Sequence, residues 1–425
     1  MKRTVAREKG FFVIKVLLIL LISIVLGTLL LIGVFSIPTD RMYNNVKEST
    51  YIFDLEGTYP AIDKQISKKL DNYTDGLMLS EAVYNKEEVS VVEKAMAVYQ
   101  PVIKDYSPDY TLSIYMSKDG DYSDGSYKRY WHGFLIILKP LLLCCNYLGI
   151  RNINRVIQMI LAFLIILCLY KRKMSSMIIP FILSFLFLRP DAMGLSLQYS
   201  SIYYVTALSI LAILLFREKF ENRNLYPFVF LIIGICTSYF DLLTYPLVTL
   251  GLPLTVVMMY QNKSKVFDSI KKILGYSGMW GIGYAGMWCG KWFIGSILLK
   301  ENLFMDAINT IKFRSSTSFE ETKFTHLDVI SENIIIGFWD IKALCLAVVI
   351  VILIMVLIKN YKNLRNTLLE SLPFLVIMIM PFCWYILTAN HSYIHARFTY
   401  RELVIAVFAF LCMGFRALQR TEKIN

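Results

Sequence analysis

The sequence predicts an all-α polytopic membrane protein of about ten transmembrane helices, with a long, partly helical first outer loop. Three observations predict it. Of 425 residues, 56% are hydrophobic and only 18% are charged. Continuous apolar runs of about 17–25 residues recur, the length that crosses a bilayer core. Lys and Arg cluster at alternate ends of these runs, as cytoplasmic loops require. In lipid such a run satisfies its own backbone as a helix. A barrel would show short alternating segments instead.

The elements follow in chain order. Residues 1–37 form a basic start (Lys2, Arg3, Arg7, Lys9) and a first span, roughly 11–36. That apolar run is long and lacks a clear small-residue cleavage site, so it reads as an uncleaved helix. Residues 38–151 form the first outer segment. It ends in "GFLIILKPLLLCCNYLG" (133–149), broken by Lys139-Pro140 and read as an interfacial or re-entrant element. Residues 152–425 form one membrane domain holding spans at about 152–170, 174–188, 196–216, 225–240, 244–260, 274–299, 333–358, 371–388 and 403–417. Each inner connection carries at least three Lys or Arg, which places both termini in the cytoplasm of a multi-pass cell-membrane protein.

The net charge of +12 is explained by those inner loops. No aromatic-basic nucleic-acid motif accompanies it, so no nucleic-acid partner is expected. The eight cysteines show no CxxC spacing and lie mostly in apolar runs, which indicates neither a disulfide framework nor a metal site.

Unusual polar residues collect on the outer side. "FDLEGTYP" brings Asp54 and Glu56, a DxE pair that reads as a solvated loop or as ligands for a divalent cation, the one cofactor the pattern offers. "LDNYTDGLML" brings Asp71 and Asp75, which share a face if the piece is helical. Asn72, Thr74 or Asp75 would cap that helix, or a carboxylate would deprotonate an acceptor hydroxyl. "YKRYWHG" brings Arg129 and His132, as an interfacial aromatic belt or as a substrate contact. "RPD" brings Arg189 and Asp191, paired at a helix end or open to substrate, with Gln198 just beyond. Asp241 lies in a tight turn and would cap the following helix or face the substrate.

"TANHSYIHARFTYRELV" carries His391, His395, Arg397 and Arg401 between two apolar runs. Solubility asks for fewer such groups in a short turn. If it is helical, the two His share one face and the two Arg another. Zinc would want HExxH, which is absent. Acids for proton handling and cations for phosphate at one interface suit transfer chemistry on a lipid phosphate.

A long acidic outer loop after the first span, followed by eight or more helices, resembles the GT-C class of membrane glycosyltransferases. "LDNYTDG" and "FDLEG" both match the class's acidic first loop, leaving Asp75, Asp71 and Asp54 as alternative catalytic acids. "RYWHG", "FDLLTYPL" and "NHSYIHARFTYR" are also similar to uncharacterised bacterial membrane proteins of envelope-polysaccharide type. The resemblance implies a lipid-linked sugar donor drawn from membrane lipid and a glycan or lipid acceptor. It also implies a cation near the last helices holding the lipid phosphate, for which Arg397 or Arg401 is suited. On this reading Asp75→Asn and Arg397→Ala abolish transfer. Three other classes compete. A lipid-linked sugar transporter or flippase would need a polar path at mid-membrane. A membrane acyltransferase or a polysaccharide polymerase would also use outer His and Arg groups, the acyltransferase with His391 or His395 as base. An envelope scaffold would not need the acids and cations to converge.

Overall fold

The computed structural model describes residues 2–260 and 265–420, with side chains for 10–260 and 265–419. It is 79% helical with almost no sheet. The basic markers Lys2, Arg3, Arg7, Lys9 and Lys263, and the tail from Thr421, lie outside the described side chains.

The chain begins with α1 (Lys2–Phe35) and then builds a small layer that we term the crown. It comprises α2 (Asp40–Lys47), α3 (Tyr51–Glu56), α4 (Asn72–Val83), α5 (Val91–Ala97), β1 (Tyr99–Val102), α6 (Pro108–Ser117) and β2 (Ser123–Ser126). The two strands pair antiparallel, Tyr99 against Ser126 and Val102 against Ser123. Next come α7 (Leu135–Cys144), α8 (Tyr147–Lys171), α9 (Ile178–Phe187), α10 (Pro190–Met193), α11 (Leu197–Asn222), α12 (Tyr226–Phe240), α13 (Val248–Tyr260) and α14 (Val266–Leu299). A second polar stretch holds α15 (Leu303–Arg314), the two-residue hairpin β3 (Ser318–Phe319) and β4 (Thr322–Lys323), and α16 (His326–Phe338). Then follow α17 (Lys342–Asn360), α18 (Leu364–Leu387), the short α19 (Ala389–Ile394) and α20 (Ala396–Thr399), and α21 (Val404–Arg420).

Among the described residues, five stretches are long and apolar enough to cross a membrane: Gly10–Phe35, Tyr147–Lys171, Leu197–Asn222, His326–Leu387 and Ala396–Gln419. Their outward faces are rich in exposed Leu, Ile, Val and Phe, for example Leu17, Val156, Phe163 and Leu215, as lipid contact requires. Shorter apolar helices lie at Ser175–Phe187, Tyr226–Phe240 and Val248–Tyr260, and the expected span 274–299 lies within the 34-residue α14. The segment at 133–149 is a ten-residue helix with Pro140 inside it, followed directly by α8. One boundary differs from the sequence reading. The expected span 333–358 is broken by a tight turn at Trp339–Ile341, so α16 belongs to the polar stretch and α17 alone continues into the apolar region.

The crown is fixed by membrane-helix cations on its helix ends. The Lys139 ammonium of α7 donates to Ala82 O at the C-terminal end of α4, at 2.6 Å. That of Lys291 on α14 donates to Met96 O near the end of α5, at 2.9 Å. The last carbonyls of a helix lack intrahelical partners and carry negative dipole charge, so a cation satisfies both needs.

The closest helix pair is α12 with α14. A Cβ on Gly234 would lie 2.1 Å from Trp280 O, and one on Gly283 would lie 2.1 Å from Leu231 O. Small residues let two backbones approach where lipid offers no hydrophobic drive. Gly234→Ala and Gly283→Ala should each destabilise by about 1–3 kcal/mol through overpacking. Gly278→Ala on α14, where a Cβ meets nothing within 4 Å, should leave the melting temperature unchanged or raised. Equal behaviour of the three variants in thermal melts would refute the close approach.

Candidate functional site

The site is assembled from the start of α4 and the turn α19–α20. Asp71 is the N-cap of α4. Its Oδ1 accepts from the Thr74 amide at 3.0 Å, so the cap expected at Asn72, Thr74 or Asp75 is one residue earlier. Its Oδ2 accepts from Arg397 Nη2 at 3.3 Å, across 326 residues of sequence. Asp71 is buried and Arg397 mostly so. Burial pushes the Asp71 carboxyl above its ordinary value, with the Arg397 charge opposing it. Two more bonds fasten the same surfaces: Tyr400 Oη donates to Ser67 O at 2.5 Å, and Tyr199 Oη to Lys69 O at 3.0 Å.

Aromatic rings close the rim. The Arg397 guanidinium lies 4.1 Å from the centre of the Tyr59 ring, a cation–π contact. Tyr59 stacks on Tyr73 at 6.3 Å and 12°. Both rings are partly exposed. Burial raises the Tyr59 phenol to about 12, with Arg397 working against it and Asp71 and Asp109 adding to it.

Asp75 does not share the Asp71 site. With Asp71 outside the helix, the two carboxyls turn apart. Asp75 accepts from Tyr147 Oη at 2.6 Å, Ser196 Oγ at 3.1 Å, Leu197 N at 2.9 Å and Gln198 N at 3.1 Å. It caps α11 from another element, and its fully buried oxygens face no open space. Burial lifts its pKa to about 6, opposed first by the Tyr147 bond. Asp54 is exposed and lies two residues before Glu56, about half a helical turn away. Glu56 forms a two-pronged pair with Arg151, at 2.8 and 3.0 Å, and also accepts from Asn72. With Glu56 committed to Arg151, the expected DxE cation site is not assembled. Among the described residues no cluster of three or more His, Cys, Asp or Glu is placed to hold a metal.

The remaining expected residues divide. Arg129 pairs with Asp306, at 2.7 Å, away from Asp71. His132 is buried with both nitrogens used, Nδ1 to Glu81 at 2.9 Å and Nε2 to Tyr127 O at 2.7 Å. Its neighbour Trp131 is buried and donates to Met287 O, so Trp131 and His132 are packed into the core, while Lys128 of the same stretch pairs with Glu301. Asp191 pairs with Lys68 at 2.9 Å and not with Arg189. Asp241 closes its own turn by accepting from Thr244 N at 2.9 Å, and burial raises it to about 7. The bond expected of it at the next helix is made by Glu402, which accepts from Leu247 N at 3.1 Å. The Gln198 amide belongs to the Asp75 cap.

The histidine turn is pinned from α16, where Asn333 donates to Ser392 O at 3.0 Å and accepts from Thr399 Oγ1 at 2.8 Å. The two His rings do meet, 4.7 Å apart. Their partners assign the protons. His391 Nε2 donates to Leu243 O, at 2.7 Å. His395 Nε2 accepts from Arg314 Nη1, at 3.1 Å, because Arg only donates. Each Nδ1 is buried without a partner among the described residues. Burial, then Arg314, pulls His391 down to about 3. Burial, then His391, pulls His395 well below its usual range. Arg401 donates to Leu188 O at 3.3 Å and to Arg397 O at 3.2 Å, and its guanidinium faces Tyr199 at 4.1 Å. Arg189, Arg314, Arg397 and Arg401 each keep a buried nitrogen with no partner among the described residues.

Three residues escaped the sequence reading. Arg314 ends α15 and looks there like an ordinary last-turn cation. Glu402 stands out in sequence only as the lone acid beside the last apolar run. Asp109 lies in "SPDY", a common helix start. A Cβ on Gly76 would lie 2.5 Å from its Cα, so α6 crosses α4 within two turns of Asp71. Asp109 is buried, with Oδ1 unpartnered.

Two predictions follow from these roles. Asp75→Asn should destabilise by about 2–3 kcal/mol, since it strands buried donors. Asp71→Asn keeps an N-cap oxygen and should cost under about 1 kcal/mol. Thermal melts that rank them the other way would reverse the assignment. For pH, the folded chain refuses a proton at His391 that the unfolded chain accepts below about 6.5, so stability is lost as pH falls from there towards the folded value. The fall in melting temperature between about pH 7 and pH 5 should shrink in His391→Gln, which keeps a donor to Leu243 but does not titrate. An unchanged pH profile would place the titration elsewhere. No family model, no curated protein and no solved structure matches this chain.

Proposed function

We propose that the chain is a membrane glycosyltransferase. It moves a sugar from a polyprenyl-phosphate carrier to an envelope glycan or lipid acceptor on the outer face. The single observation carrying this reading is the Asp71–Arg397 contact, which joins the first outer segment to the last outer turn. In this reading about ten helices cross the membrane, both termini are cytoplasmic and the crown is external.

The donor's phosphate sits against Arg397, with Arg401, Arg189 and Arg314 nearby as charge compensation; all four have nitrogens without a partner among the described residues. An apolar groove of about 160 Å³, lined by residues including Met78, Leu138, Leu197 and Phe240, suits its tail. Tyr59 and Tyr73 offer ring faces to the sugar. The acceptor oxygen attacks the anomeric carbon as the carbon–oxygen bond to phosphate breaks. The bonding pair leaves with the phosphate and is stabilised by the guanidinium groups. Asp71 takes the acceptor's proton, giving inversion in one displacement. Phosphate competing for Arg397 releases Asp71 Oδ2 for that task, and burial then favours its protonation. Asp75, committed to the α11 end, yields the role of base to Asp71. The polar groups deeper in the bundle bond to one another, as Asn154 and Gln158 do to Ser200, which favours a packed interior over a transport path.

The test is transfer from a polyprenyl-phosphate sugar by purified protein. Asp71→Asn should lower the rate at least about 100-fold with melting preserved, and Arg397→Ala should lower it as far with a drop in melting temperature from the stranded Asp71 carboxylate. The wild-type rate should fall on the acid side, with its midpoint above the ordinary carboxylate range. Full transfer by Asp71→Asn would end this assignment.

A further inference from the structure

Arg155 stands where a lipid-facing helix should be apolar. It is exposed on α8, eight residues after Tyr147, which is about 12 Å along the axis. Its neighbours Ile153, Val156, Ile157, Met159 and Ile160 are exposed and apolar. Among the described residues Arg155 makes no ion pair. An unpaired cation at that depth is costly unless its long stem lifts it to a headgroup phosphate. The stem is fixed from behind: a Cβ on Gly194 would lie 2.7 Å from Arg155 Cγ and 3.2 Å from its Cα.

Beside it lies a cavity of about 160 Å³ lined by Arg155, Gln158, Met159, Pro190 and Asp191. Gln158 is 1% exposed. Its Nε2 donates to Ser200 Oγ at 2.9 Å, while Oε1 is buried without a partner among the described residues. Asp191 shares the Lys68 ammonium with Asp63, at 2.9 Å from each, so its charge is partly compensated. The wall therefore offers a cation with no ion pair among the described residues and two acceptors, a carboxamide oxygen and a partly compensated carboxylate. Acceptors repel a second phosphate and call for donors, and with the Arg155 guanidinium lining the same cavity a hydroxyl fits there better than a second cation.

We propose that this cavity binds the headgroup of a membrane lipid carrying one phosphate and at least one free hydroxyl. Arg155 holds the phosphate, and Gln158 Oε1 and Asp191 accept from the hydroxyls. The site stands apart from sugar transfer and does not rest on it. Lys68 links it to the crown through Asp63 and Asp191.

Native mass spectrometry of the full chain, exchanged into micelles doped with phosphatidylglycerol, reads the occupancy. Wild type should retain phosphatidylglycerol over phosphatidylcholine, phosphatidylethanolamine and phosphatidylmethanol. The last has the same charge but no hydroxyl. Arg155→Ala, at an exposed position that should fold, should lose about tenfold in retention, and Arg155→Lys should recover part of it. Equal retention by wild type and Arg155→Ala would overturn the site. Equal retention of phosphatidylmethanol or phosphatidylethanolamine would overturn the headgroup assignment. Displacement by soluble glycerol phosphate at matched concentration would overturn the lipid source.

Discussion

The fold depends on matching buried charges to helix ends. A charged side chain in an apolar bundle is expensive, and so is a helix terminus whose backbone groups have no partner. Here one defect cancels the other. The Asp75 carboxylate closes the start of α11, and Glu402 bonds the amide just before α13. Lys139 and Lys291 receive the ends of α4 and α5, and Arg401 receives Leu188 O at the end of α9. Arg416 does the same at Met258 O near the end of α13, at 3.2 Å. Because donor and helix often belong to different layers, these contacts also set where the crown sits on the bundle.

That rule separates structural charge from chemical charge. Asp75 is engaged by two backbone amides and by the Tyr147 and Ser196 hydroxyls, and Lys139 and Lys291 each donate to a helix-end carbonyl. Asp71 and Arg397 contact each other beside exposed tyrosines, and the surrounding guanidinium groups keep nitrogens without a partner among the described residues. A single Arg–carboxylate contact at 3.3 Å is exchangeable, since an arriving phosphate offers the guanidinium the same kind of acceptor. The neutral His391–His395 pair adds no charge of its own. It presents one Nδ1 with a lone pair and one with a proton, which suits a hydroxyl-bearing ligand better than a second anion.

The helical class was legible because apolar length is a strong, local signal, and residues at all ten expected positions are helical. The meeting of the first acidic segment with the final turn was legible too, through the excess of charge in each. Which acid occupied the site was not. Asp71 and Asp75 are four residues apart, and only the position of the helix boundary sends one to Arg397 and the other to α11. Glu56 reads in sequence as a solvated loop residue or a cation ligand, while Arg151, 95 residues later, claims both its oxygens. Asp109 and Arg314 sit in sequence contexts that any helix start or end would produce. Tertiary pairing, which a single sequence does not encode locally, decided all of these cases.

The sequence separation within the site has its own consequence. Asp71 lies in the first polar segment and Arg397 before the last helix, so the pair forms only when the intervening helices are in place. Until then Asp71 has its Thr74 cap but no cation, and burying it in that state carries the desolvation cost without the compensating charge. Tyr400 and Tyr199 add bonds to Ser67 and Lys69 that close at the same stage. The crown therefore gains its final hold from the last turn, and assembly of the bundle and completion of the site become one event.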